Sequence, residues 1–122
     1  MYKVLVCDDE KDIVSAISIY LTSDGYEVIP ARNGLEALDI VKHNDVHLVL
    51  MDIMMPVMDG MTATRAIRSF ARADAKTIPI IAMTANAFDE DAKKCMEAGM
   101  NAHLTKPIEI DRVIEVLGQY CR

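Results

Sequence analysis

Five times along the chain a short apolar run gives way to a stretch in which apolar residues recur at helical spacing. The runs are Val4 to Cys7, Tyr26 to Ile29, His47 to Met51, Ile78 to Met83, and Ala102 to Leu104. This alternation predicts an α/β fold with parallel strands joined by crossover helices. Three of the runs are continuously apolar, as strands covered on both faces must be. Tyr26-Glu27-Val28-Ile29 is mixed and reads as an edge strand. No linker rich in Ser, Gly or Pro divides the sequence and no segment repeats, so residues 1–122 are expected to form a single domain.

The helical stretches carry their own punctuation. Asn33-Gly34-Leu35-Glu36 places a capping residue three positions before Glu, which predicts a helix starting there and running to about Lys42. Ala98-Gly99 reads as a helix end, because Gly adopts the left-handed conformation cheaply. From about Lys11 to Ser23, residues Ile13, Val14, Ile17, Tyr20 and Leu21 form one stripe expected to face the sheet. Its opposite side, Asp12, Ser15, Ala16, Ile19, Thr22 and Ser23, is small and nearly uncharged, whereas the helix after Gly60 shows Arg65, Arg68 and Arg72.

Composition narrows the function. The 122 residues are 52% hydrophobic, enough for a core without disulfide or metal staples. With 13 Lys and Arg against 19 Asp and Glu, the net charge of −6 argues against direct nucleic-acid binding. No apolar run approaches the roughly 20 residues that cross a bilayer, and Met1-Tyr2-Lys3-Val4 is no signal peptide, so a cytoplasmic chain without membrane contact is expected. Cys7, Cys95 and Cys121 lack metal-ligand spacing and read as structural or idle thiols. Met51, Met54, Met55, Met58 and Met61 read as gap fillers around a loop, and His43 and His47 as solvated or capping residues.

In an open parallel sheet, ligands bind at the carboxyl ends of the strands. Here those ends are polar: Asp8, Asp9 and Glu10 follow the first run, Asp52 the third, Thr84 the fourth, and Lys106-Pro107 the fifth, while the second offers only Pro30 and Ala31. A strand order with the first and third runs adjacent would bring Asp8, Asp9 and Asp52 together. Crowded carboxylates take up a proton or recruit a cation, and hard oxygen ligands select Mg2+ or Mn2+. Lys106 and Thr84, converging from other strands, would complete a site for a transferring phosphoryl group with a carboxylate as nucleophile. Acidic residues after a strand also serve as helix caps, so Asp8, Asp9 and Glu10 taken alone leave both readings open.

Four segments together give a specific resemblance: Val4-Leu5-Val6-Cys7-Asp8-Asp9-Glu10, Met51-Asp52-Ile53-Met54-Met55-Pro56-Val57-Met58-Asp59-Gly60, Ile78-Pro79-Ile80-Ile81-Ala82-Met83-Thr84-Ala85, and Lys106-Pro107. From Lys3 to about Gly118 the chain resembles the receiver domain of two-component response regulators. The resemblance implies a flavodoxin-like, doubly wound five-stranded parallel sheet of order 2-1-3-4-5 with five flanking helices. It implies that Asp52 accepts a phosphoryl group from a phosphohistidine partner, a histidine kinase or a histidine-containing phosphotransfer domain. The domain would then catalyse its own phosphorylation and dephosphorylation. Mg2+, with Mn2+ as substitute, would be held by Asp9 and Asp52, by Asp8 directly or through water, and by the Met54 backbone carbonyl. Lys106 would pair with the phosphoryl oxygens, the bond to Pro107 would be cis, and Thr84 with His103 would form the conformational switch.

Two positions depart from the family's usual pattern. The switch residue is commonly aromatic, often Tyr or Phe, and here is His103. Met54 can neither donate to nor orient an attacking water, which predicts dephosphorylation limited by water positioning. The stretch from Met83-Thr84-Ala85-Asn86-Ala87 to Ala102-His103 looks more like receiver segments of hybrid sensor kinases than like those of transcription factors. Such receivers exchange phosphoryl groups with helical domains that dock near the first helix, which would account for the face around Ile19. A stand-alone regulator, and a phosphorylation-dependent dimer through the fourth and fifth helices, stay open.

Three other readings fit less well. A haloacid-dehalogenase-like phosphatase needs a second acid two residues after its nucleophile, where this chain has Met54. A binding module that has lost phosphorylation would not be expected to keep the five site residues. A flavodoxin-like nucleotide binder would need a Gly-rich rather than an acidic first loop.

Overall fold

The computed structural model describes residues 2–55, 57–70, 76–84 and 89–120, with the backbone alone for 89–92. Met1, Pro56, Arg72, Ala85, Asn86, Ala87 and Cys121, named above, lie outside the described residues. The elements alternate: β1 (Lys3–Cys7), α1 (Lys11–Ser23), β2 (Glu27–Ala31), α2 (Gly34–His43), β3 (Leu48–Asp52), α3 (Gly60–Arg68), β4 (Ile80–Thr84), α4 (Asp89–Ala98), β5 (Ala102–Thr105) and α5 (Ile110–Tyr120). The strands form one parallel sheet of order β2-β1-β3-β4-β5.

The continuous apolar runs are explained by two cores, one on each face. Because side chains alternate along a strand, Leu5, Cys7, Val49, Met51, Ile80 and Ala82 point to the side covered by α2, α3 and α4. Val4, Val6, Leu48, Leu50, Ile81 and Met83 point to the side covered by α1 and α5. Cys7 and Cys95 are both buried. On α1, Ile17 and Leu21 are buried and Ile13 and Val14 pack beside them, but Tyr20 is 53% exposed and leaves the expected stripe. Residue 20 sits at the edge of that stripe.

Strand limits shift by one or two residues from the apolar runs. β2 continues through Pro30 to Ala31, so those residues are in the strand rather than after it. The Glu27 amide donates to Tyr2 O and the Asp8 amide to Ala31 O, which turns the nitrogen of Pro30 to the free edge, where its missing N–H costs no ladder bond. β4 begins at Ile80, because the carbonyl of Ile78 accepts from Arg68 instead. Asp52 and Thr84 are the last residues of their strands.

Helix α2 begins as read: Asn33 Oδ1 accepts from the Glu36 amide at 2.9 Å. Its last turn carries His43, whose Nδ1 lies 2.9 Å from Asp39 O, and the Nδ1 of His47 accepts from the Lys3 amide at 2.9 Å. At the end of α4, Gly99 has φ +107°. Arg68 donates to Gly99 O through Nε and Nη2 and to Asn101 Oδ1, tying α3, α4 and the start of β5 together. Asn101 Oδ1 also accepts from the Ile80 amide.

The loop between β3 and α3 is tight at both ends. A Cβ on Gly60 would overlap the backbone oxygen of Asp52 and lie 2.9 Å from Met51 Cγ, so only Gly lets α3 start against the end of β3. Val57 adopts φ 70° and is 75% exposed. A β-branched residue in that region costs roughly 1–2 kcal/mol, and Asn tolerates it. Val57→Asn is therefore expected to stabilise the domain by about 1 kcal/mol in urea denaturation with an unchanged slope; a loss of stability would mean that the Val57 side chain packs favourably.

Candidate functional site

Parallel register brings the carboxyl ends of β1 and β3 level, with Cys7 opposite Met51. The residues that follow, Asp8 and Asp9, thus meet Asp52, and one oxygen from each of the three carboxylates lies within 4.8 Å of the others. Asp8 and Asp52 are buried while Asp9 is exposed. Asp8 Oδ1 accepts from the Glu10 amide at 2.9 Å, and Asp52 Oδ1 from the Met54 amide at 3.2 Å.

Lys106 enters from the end of β5, where its amide donates to Thr84 O at 2.7 Å and the bond to Pro107 is cis. Its Nζ lies 3.1 Å from Asp8 Oδ2, 3.5 Å from Asp52 Oδ1 and 3.7 Å from Glu10 Oε1. The shortest of these has ion-pair distance without hydrogen-bond direction, so Asp8 Oδ2 is a buried oxygen lacking a hydrogen-bond partner. Thr84 is fully buried at the end of β4. His103 is exposed on β5, two residues before the strand ends. Met54 is 73% exposed and fills no gap, unlike buried Met51 and the partly buried Met55, Met58 and Met61.

One cation among these carboxylates leaves an excess of negative charge. Burial first, and the neighbouring Asp8 second, raise Asp52 from 3.8 to about 6, against the lowering effects of the Met54 amide and Lys106. Burial alone would lower Lys106, but Asp8, Asp52 and Glu10 outweigh it and raise it. Burial and the charges of Asp52 and Asp8 push the Cys7 thiol up to about 12, which keeps it protonated and unreactive. The clustered oxygens, with Asp8 Oδ2 paired to Lys106 by charge but making no directed hydrogen bond, fit a small, hard divalent cation. Sequence reasoning missed the reach of Glu10 to Lys106; the available signal was a Glu where Asp or Ser would cap α1.

The model of the response regulator receiver domain matches residues 4–118. The chain belongs to this family. The receiver domain is 36% identical over 117 residues to sensor histidine kinase RcsC of Escherichia coli K12, covering 96% of this chain and 12% of that kinase. Among solved structures, it is similar to the receiver domain of a sensor histidine kinase from Pseudomonas aeruginosa PAO1, which holds a magnesium ion coordinated in its active-site cleft. That likeness has a TM-score of 0.88 and 34% identity, over 98% of this chain and 96% of that one. The receiver domain of the Saccharomyces cerevisiae regulator Ssk1, solved in complex with the histidine phosphotransfer protein Ypd1, gives a TM-score of 0.90 and 27% identity, over 98% and 88%. The chain is thus a two-component receiver domain with the expected flavodoxin-like fold.

The raised Asp52 has a consequence for stability. An acid that holds its proton more tightly when folded stabilises the fold below its unfolded value of 3.8, and this contribution is lost as pH rises to about 6. Without Mg2+, Asp52→Asn is expected to be more stable than wild type at pH 7.5 by on the order of 2 kcal/mol, the gap closing toward pH 4. Adding Mg2+ should raise the melting temperature of wild type more than that of the variant. Equal melting curves across this pH range would remove charge repulsion from the account.

Proposed function

We propose that Asp52 is the phosphoacceptor, and that the domain receives the phosphoryl group from the phosphohistidine of a histidine kinase or histidine-containing phosphotransfer domain. The observation that carries the reading is the convergence of Asp8, Asp9 and Asp52 from two strands beside the ammonium of Lys106. Asp8, Asp9, Asp52 and the Met54 carbonyl would hold Mg2+, for which Mn2+ would substitute. When bound, the ion would neutralise charge on the phosphoryl oxygens.

The other steps belong to the protein. An Asp52 oxygen, positioned by the Met54 amide, would attack phosphorus in line as the P–N bond to the donor histidine breaks and its imidazole leaves with the electron pair. Lys106, already 3.5 Å from Asp52, takes up the charge on the transferred group. Thr84 would turn its hydroxyl toward the phosphoryl group, and His103 would move inward from its exposed position, coupling the site to the β5 surface. Partner access is supported by a largely apolar groove of about 640 Å3 beside the site, lined by Ile13, Ala16, Ile17, Pro107, Ile108 and Ile110 together with the charged Glu10, Asp12 and Lys106. Ile19, 67% exposed on the outer face of α1, extends that surface.

Residues 1–122 would act as one phosphoacceptor domain. The similarity to a sensor kinase favours a hybrid kinase receiver, working on the cytoplasmic side and without direct contact to nucleic acid or membrane. Among the described residues no helix is long and apolar enough to cross a membrane. A dimer formed on phosphorylation through the α4 and α5 face would be one form of output.

Incubation with Mg2+ and acetyl phosphate, read by intact mass, tests the reading. One added phosphoryl group is expected, lost without Mg2+ and absent in Asp52→Asn; no addition to the folded wild type would overturn it. Met54→Asn should speed loss of that group several-fold by orienting water, and an unchanged rate would show that residue 54 does not limit hydrolysis.

A further inference from the structure

We propose that Glu10 is a positioning residue that engages Lys106 at the mouth of the site, so that an incoming phosphoryl group must displace a carboxylate before Lys106 can pair with it. The proposal rests on the reading of Asp52 as phosphoacceptor. Two observations carry it independently of each other. Glu10 occupies the N-cap position of α1 with extended backbone, φ −87° and ψ 108°, yet its side chain makes no capping hydrogen bond. Asp, Asn and Ser are preferred at such a position because their short side chains reach the first-turn amides. The Glu10 carboxylate instead lies 3.7 Å from Lys106 Nζ.

The second observation is the arrangement around that ammonium. It has three protons and three carboxylate neighbours, Asp8 and Asp52 being buried and the Glu10 side chain 61% exposed. Glu10 is therefore the neighbour that an arriving group meets first and the one able to swing away into water. In the transfer, an Asp52 oxygen forms a bond to phosphorus. The bond from phosphorus to the acetyl oxygen of acetyl phosphate breaks, and acetate leaves with the electron pair. Lys106 stabilises the charge of the group in flight more strongly once it has released Glu10. The pair thus acts as a brake on small anionic donors.

Repulsion by the Glu10 charge and occupation of Lys106 predict different behaviour for Glu10→Asp. This substitution keeps the charge, but the carboxylate, one methylene shorter, is drawn to the α1 amides it can now cap. The experiment compares phosphorylation by acetyl phosphate at saturating Mg2+ in wild type, Glu10→Ala and Glu10→Asp by intact mass, with melting temperatures measured alongside. Both variants are expected to accept the phosphoryl group roughly fivefold faster, the factor that release of one exposed ion pair allows. Glu10→Asp should also melt higher than wild type, a gain that loss of the pair alone would not produce. A Glu10→Asp rate equal to wild type beside a fast Glu10→Ala would show that repulsion acts alone and would overturn the proposal, as would three equal rates. If wild type takes no phosphoryl group at all, the reading of Asp52 falls and this proposal falls with it.

Discussion

The fold places negative charges where they repel. Two parallel strands end level with each other, and their ends carry three carboxylates, two buried and one exposed, that a single lysine cannot balance. Such a cluster persists only because the surrounding structure over-determines it: Asp8 and Asp52 extend from strands buried on both faces, and the Glu10 and Met54 amides fix their oxygens. The electrostatic cost falls on the unliganded state. A divalent cation or a proton on Asp52 would each relieve it, so the same constraint would account both for cation affinity and for the raised acid.

The amino ends of the strands are built on the opposite principle. Arg68, the last residue of α3, donates twice to the carbonyl of Gly99 just past α4, and Asn101 bridges that cation to the first amide of β4. Here groups that helices leave unsatisfied meet a fixed donor fork. One end of the sheet is thus held by satisfied hydrogen bonds and the other is kept in tension, the division expected of a domain that must change state at one end without coming apart at the other.

Much of this was readable in the residues themselves. The apolar runs located all five strands, because the inner positions of strands covered on both faces are apolar and polar residues fall at their carboxyl ends; the limits slipped where a ladder bond, not hydropathy, decides, as at Pro30 and Ile78. Asn33 and Gly99 marked helix ends through local geometry that needs no tertiary contact. Strand order came from the family resemblance, since nothing local says which strands are neighbours. Tyr20 and Met54 were misplaced because apolar character alone does not determine burial at the margin of a stripe or in a loop. Glu10 was read as an acid or a cap, and its partner 96 positions along the chain became visible only once β1 and β5 stood in one sheet.

Pro30 has a role beyond its strand. An open sheet exposes backbone donors and acceptors at each side, and any extended chain can add itself there as a sixth strand. On the β2 side, the outward positions alternate with those bonded to β1, and Pro30 removes the donor from one of them. A row with a missing donor makes a poor template for strand addition by another copy, which guards a small acidic domain against aggregation while leaving its helical faces free for partners.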